Sequence, residues 1–174
     1  MFSIRNATRD DVPLMLELVR ALALYERDPD AVQATEDDFL RDGFGATPAF
    51  ECLIAQVPEA TGTYDKMQPV GFALYFYNYS TWQGRRGIHV EDLFVLPEFR
   101  GRGIGKALLG AVAAKAIESD CGRLQWDVLE WNQPAIDFYH RVGARMLTEW
   151  QIMRVTGEAL AALAASTVAA EEPG

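Results

Sequence analysis

The stretch Val90-Glu91-Asp92-Leu93-Phe94-Val95-Leu96-Pro97-Glu98-Phe99-Arg100-Gly101-Arg102-Gly103-Ile104-Gly105-Lys106-Ala107-Leu108-Leu109 decides how the rest of the 174-residue chain is read. Its first six residues are rich in strand formers and enclose two carboxylates. Pro97 ends that run because it has no N–H to give to a ladder. Glycines then alternate with other residues, cations among them, from Arg100 to Lys106, and an Ala/Leu pattern with helical spacing follows. A strand, a glycine turn and a helix start, in that order, make an anion site. The first amides of a helix have no acceptor inside it. The helix dipole adds partial positive charge there, and glycine lets a phosphate approach the backbone. Arg100, Arg102 and Lys106 add formal charge in a chain whose net charge is −9.

Two familiar phosphate loops do not fit. A Walker loop needs Gly five residues before Gly105 and Ser or Thr after Lys106, where this chain has Arg100 and Ala107. A dinucleotide fingerprint starting at Gly101 needs Gly or Ala at position 106, where this chain has Lys106. A plain glycine turn made soluble by cations is disfavoured, because Gly101, Gly103 and Gly105 together are costly in chain entropy.

The segment Arg100-Gly101-Arg102-Gly103-Ile104-Gly105 resembles the diphosphate-binding motif of the GNAT superfamily of acyl-CoA N-acyltransferases, Arg/Gln-x-x-Gly-x-Gly/Ala. Taken with Glu91-Asp92-Leu93-Phe94-Val95 and with Trp131-Asn132-Gln133-Pro134-Ala135-Ile136-Asp137-Phe138-Tyr139, it resembles the diamine (spermidine/spermine) and thialysine acetyltransferases. The similarity runs over residues 3–155. It implies acetyl-CoA as cosubstrate, no metal, and a small cationic amine as acceptor. It also implies a two-fold homodimer formed through the last strands, and a sheet splayed where the cofactor enters.

Composition agrees with one domain, residues 1–166, followed by a flexible tail at 167–174. The length suits a single core, and 49% apolar with 24% charged residues is ordinary for a globular chain. The acidic balance argues against nucleic acid, whose partners are usually basic, and is compatible with a cationic substrate. Cys52 and Cys121 are far apart and make neither a zinc spacing nor a redox pair, so they read as reduced thiols. No signal peptide or long apolar span is visible, and the cytoplasm is the expected compartment, with no membrane partner.

Periodicity places strands at 3–6, 50–57, 70–79, 88–95, 124–128 and 146–155. Helices are expected at about 8–25, 35–41, 104–119, 132–143 and 158–165. Thr35-Glu36-Asp37-Asp38 reads as a capping box with Asp as its acid, and Gly43 and Gly45 as helix ends. Residues 58–67 read as a hairpin loop or small insertion. Strands followed by strand–helix–strand–helix–strand predict an α/β (α+β) fold, a mixed sheet with helices on both faces. The resemblance makes that sheet mostly antiparallel.

Acetyl transfer to an amine needs three things. A proton must leave an alkyl ammonium whose pKa is about 10. The oxyanion needs a donor, and the departing thiolate gains from an acid. Glu91 and Asp92 are neighbours on a strand, so they point to opposite faces unless a bulge intervenes, and the resemblance implies a bulge here beside the splay. They fit either an exposed edge strand or an amine site. By resemblance Glu91 binds the amine and accepts its proton through water, and Asp92 is a second amine contact. Leu93, Phe94 and Val95 offer backbone groups to the thioester and the pantetheine arm, while their side chains suit the core. Tyr139 matches the family's catalytic acid. Asn132, which also suits an N-cap, Ala135 and Arg141 match cofactor contacts, as do Arg100, Gly101, Arg102, Gly103, Ile104, Gly105 and Lys106. The family has a second basic residue after Arg141, where this chain has Val142.

At the amine end the resemblance points to Tyr25 and Glu26. Trp131 and Glu149 add an aromatic ring and a carboxylate that suit an ammonium, although tryptophans also serve as ordinary core or rim. A substrate that carries a carboxylate needs a cation in the pocket as well; Arg85 and Arg86 are candidates whose place the sequence does not fix. His89 and His140 stand alone and receive no role. Two other readings share the sequence: the same chemistry on a protein or antibiotic amine, and a CoA-binding module without turnover.

Overall fold

The structure, a computed structural model, describes residues 1–59 and 66–166. The tail at 167–174 and most of the expected 58–67 loop lie outside the described residues. Contacts group the chain into two compact units, Met1–Asn132 and Gln133–Gly174.

Among the described residues the first unit has five strands: β1 (Ser3–Asn6), β2 (Glu51–Pro58), β3 (Met67–Ser80), β4 (Arg85–Val95) and β5 (Leu124–Trp126). They lie in the order of the sequence; the first four are antiparallel, and β5 pairs with β4 in parallel. Three helices accompany them: α1 (Val12–Tyr25), α2 (Glu36–Phe44) and α3 (Ile104–Glu118). The sheet is therefore mixed and mostly antiparallel, as expected.

Alternation along the strands separates two faces. Cys52, Ile54, Phe72, Leu74 and Phe94 point one way and form a core with Met15, Leu18 and Leu22 of α1. The residues between them, Leu53, Ala55, Ala73 and Tyr75, are buried on the opposite face, which α3 covers with Ile104, Leu108, Leu109, Val112 and Ala116. The Tyr77 hydroxyl meets Ser119 Oγ, just past α3, at 3.1 Å, which fixes α3 to that side. Arg5 of β1 holds Asp11 through two 2.7 Å bonds and so ties the first strand to the turn that opens α1.

The capping box at α2 is as the sequence implies. Asp38 N–H donates to Thr35 Oγ1 at 3.3 Å, and Thr35 N–H donates to Asp38 Oδ2 at 2.9 Å. Gly43, however, does not end the helix, which continues to Phe44. Its role is steric: a Cβ there would lie 2.5 Å from the Phe50 ring.

The second unit holds α4 (Gln133–Arg141) and α5 (Gly157–Ala165). Helix α4 closes on Gly143, at φ 92°, with Ala144 N–H donating to the Tyr139 carbonyl at 3.0 Å. The strand expected at 146–155 is absent among the described residues, which are irregular from 144 to 156. Its composition favours a strand, but β-propensity expresses packing on a partner, and this segment has no ladder. Met146, Leu147, Trp150, Ile152, Met153 and Val155 are all exposed.

Candidate active site

Strand β4 carries one residue more than its partner. Leu74 faces Asp92 and Tyr75 faces Val90, so Glu91 is the extra residue of a β-bulge. The bulge reverses the alternation. Val90 faces Tyr75 on the α3 side, and Asp92, two residues on, shares the α1 side with Leu74 and Phe94. Pairing with β5 ends at the same point, with Val90 opposite Trp126. From Glu91 onward the edge of β4 turned away from β3 has no strand beside it among the described residues. This is the splay.

The phase of that edge follows from one bond. Leu96 N–H donates to the Val70 carbonyl at 2.9 Å, so Leu96 turns its backbone to β3. In an antiparallel ladder alternate residues do the same. Phe94 therefore bonds to β3, while Leu93 and Val95 present their N–H and C=O to the open edge. Of the three candidate backbone positions, two face the gap.

The two acids have different surroundings. Glu91 is 56% exposed, and its Oε2 lies 3.8 Å from His89 Nε2. The His89 ring stacks on Phe76 at 5.1 Å, and its Nδ1 is 3.4 Å from Gln125 Nε2. Asp92 is largely withdrawn from solvent. Burial, and then the charges of Glu91 and Glu26, push its carboxyl up to about 7. Burial also raises Glu26, which caps the C-terminal end of α1. Two carboxylates, one from each element, thus act on Asp92.

Beyond Val95 the chain makes a single tight turn at Pro97–Phe99. Gly101 and Gly103 follow at φ 75° and 82°, the left-handed region that suits glycine. A Cβ at either would enter open space, with no described atom within 4 Å of it. Gly103 is the N-cap of α3, and no side chain caps it. The first bond of that helix is from Ala107 N–H to the Gly103 carbonyl, which leaves the amides of Ile104, Gly105 and Lys106 without an acceptor in the helix. Such a hollow fits a diphosphate. Lys106 is exposed and the Ile104 side chain is core. Arg102 folds back, with Nη2 3.2 Å from the Glu98 carbonyl.

Arg100 turns the other way. Its Nε donates to the Val95 carbonyl at 2.8 Å, and its guanidinium lies 4.2 Å from the centre of the Tyr25 ring. The Tyr25 hydroxyl donates to Asn132 Oδ1 at 3.0 Å, and its ring is 6.0 Å from that of Trp131. Arg27 covers Trp131 at 4.1 Å. The first unit thus brings Tyr25, Phe94, Arg100, Trp131 and Asn132 together. Sequence reasoning did not consider Arg27 or Gln125, and it gave His89 no role. The only local signal was an arginine next to the Tyr25-Glu26 pair.

In the second unit, Tyr139 is half-buried on α4 with its ring 5.2 Å from Phe138. Ala135 is half-buried on the same helix, and Arg141 is exposed at its end. Glu149 is exposed in a turn of the irregular segment. Among the described residues no group of three His, Cys, Asp or Glu is placed to hold a metal ion. No described helix is long and apolar enough to cross a membrane.

Comparison with known proteins agrees with this geometry. Residues 16–144 match the model of the acetyltransferase (GNAT) family. The chain is 43% identical to the thialysine N-epsilon-acetyltransferase of Bos taurus, over 92% of this chain and 96% of the relative. It is 33% identical to an L-ornithine N5-acetyltransferase of Arabidopsis thaliana, over 94% and 88%. It is also 38% identical to the spermidine/spermine N(1)-acetyltransferase-like protein 1 of Homo sapiens, over 91% of this chain and 23% of that protein. Among solved structures, an integron cassette protein from the mobile metagenome of V. cholerae superposes with a TM-score of 0.72 at 26% identity, covering 94% of this chain and 97% of that one. Fold, splay, glycine turn and sequence agree: the chain belongs to the GNAT family of acetyltransferases.

Proposed function

We propose that the chain moves an acetyl group from acetyl-CoA to a primary amine of a small cationic substrate, a diamine, polyamine or thialysine-like amine, by direct attack. One observation carries this reading. The open edge of β4 runs from the Glu91 bulge straight into the amide-lined hollow at Gly101–Lys106, so an extended thioester laid along it would end its acyl group beside carboxylates.

Acetyl-CoA supplies an activated acyl group. The amides of the turn and the first turn of α3, with Arg102 and Lys106, hold its diphosphate. The backbone of Leu93 and Val95 pairs with the pantetheine arm as an added strand would, and an N–H from this pair polarises the thioester carbonyl. Glu91 takes the ammonium proton through water. Asp92, with its carboxyl near neutrality, is a second acceptor matched to the working pH. Glu26, Tyr25, Trp131 and Glu149 hold the cationic end of the amine. Tyr139 donates to the leaving thiolate, on the strength of the motif it closes; Asn132, Ala135 and Arg141 are cofactor contacts by the same resemblance. The acceptors named for the three sequence relatives above are small amines, which supports this acceptor class over a protein.

A homodimer in the cytoplasm completes the proposal. The exposed apolar residues between Met146 and Leu163 support a partner surface, and two free cysteines suit a reducing compartment. Mass spectrometry of products from spermidine, putrescine, thialysine and lysine with acetyl-CoA tests the function. No acetylated product from any of them would overturn it.

A further inference from the structure

By charge alone Arg100 belongs with Arg102 and Lys106 as a diphosphate ligand. Its geometry points elsewhere. Nε is committed to the Val95 carbonyl at 2.8 Å, and the planar head lies on Tyr25 at 4.2 Å and near Phe94 at 5.4 Å. Tyr25 is itself fixed at its far end by the 3.0 Å bond to Asn132. The arginine thus joins the glycine turn, the end of β4, the end of α1 and the residue before α4. Lysine cannot reproduce this, because it has neither a planar face nor a donor partway along its stem.

The Val95 carbonyl is one of the polar groups on the open edge. With that acceptor occupied, an extended chain laid on the edge finds the N–H and C=O of Leu93 and the N–H of Val95, and its pairing stops there. The next donors it meets are those of the glycine turn.

We propose that Arg100 is a positioning residue: it caps the Val95 carbonyl and pins Tyr25, and so sets where the donor's extended arm leaves β4 while holding the amine end in place. It is not a diphosphate ligand. This rests on the acetyl-transfer reading above.

The test uses the full chain and two donors, acetyl-CoA and acetyl-pantetheine, which has the pairing arm but no diphosphate. Arg100→Gln should lower kcat/KM with both donors to the same degree, roughly tenfold, the scale of one charged hydrogen bond. Arg100→Lys should do no better. Tyr25→Leu should give the same donor-independent loss, and combining it with Arg100→Gln should add little, as for residues acting in one unit. A loss confined to acetyl-CoA, or full rescue by lysine, would make Arg100 a phosphate ligand and overturn the proposal. Should Arg100→Gln not fold, Arg100→Lys and Tyr25→Leu carry the same comparison of donors. If the unaltered chain uses neither donor, the acetyl-transfer reading is what fails. The clamp is then judged by a crystal structure of the free chain: Nε on the Val95 carbonyl upholds it, and Nε swung away overturns it.

Discussion

Nε2 of His89 lies 3.8 Å from Oε2 of Glu91, close enough for the ring to act as a charge partner when protonated and too far for a hydrogen bond. Because Glu91 is more than half exposed, such a pair is worth about 0–1 kcal/mol. His89→Phe, which keeps the stack on Phe76, should therefore lower amine kcat/KM by no more than about fivefold. Glu91→Gln removes the proposed proton acceptor and should cost ~100-fold to ~10,000-fold. Steady-state kinetics on both variants check the pair; equal losses would make His89 part of the proton path.

Asp92 makes a prediction about pH. Its carboxyl titrates near 7 in the folded chain, well above its ordinary value, chiefly because it is buried. A raised carboxyl stabilises the fold fully below its unfolded pKa, and that contribution is lost as pH rises through the folded value. Wild-type stability should fall between about pH 4 and pH 8 from this group, by at most about 4 kcal/mol. Asp92→Asn removes the dependence and should gain on wild type as pH rises. Urea melts of both proteins at pH 5 and pH 8 measure it, and parallel behaviour would contradict the burial.

Tyr139→Phe should reduce kcat by ~100-fold to ~10,000-fold, the range of a general acid, with acetyl-CoA affinity little changed. Unchanged turnover would remove Tyr139 from the chemistry.

Gly103→Val places a branched side chain at φ 82° with its Cβ in the hollow of the turn. The strain alone should cost on the order of 1–2 kcal/mol, which a core of this size tolerates. Acetyl-CoA binding should be lost in a chain that still folds. Calorimetry that found wild-type affinity would refute the loop assignment.

The apolar residues of the irregular segment give a fifth test. Ile152→Glu with Met153→Glu should convert a dimer to a monomer in analytical ultracentrifugation. A wild-type chain that sediments as a monomer at micromolar concentration would defeat the homodimer.

What the sequence revealed and what it hid have physical causes. The glycine turn was legible because Gly101 and Gly103 are needed for their positive φ, a backbone demand written directly in residue type. The helices were legible from the burial of Val12, Leu16, Leu22, Ile104, Leu108 and Val112 at helical spacing. The bulge was expected only by resemblance, since nothing in the order Val90-Glu91-Asp92 marks one residue as unpaired. The clamp of Arg100 on Tyr25 joins residues far apart in the chain, and no local pattern encodes it. The failed strand at 146–155 is the converse case, a segment with the right residues and no ladder to join.

The bulge at Glu91 has a wider consequence. One supernumerary residue against β3 stands at the point where pairing with β5 stops. Remove it, and Val90 and Asp92 would follow one another against β3 as in an unbroken strand. Length at this point is therefore a constraint separate from chemistry: exchanging Glu91 for another side chain keeps the count of residues against β3, whereas deleting it removes the irregularity itself.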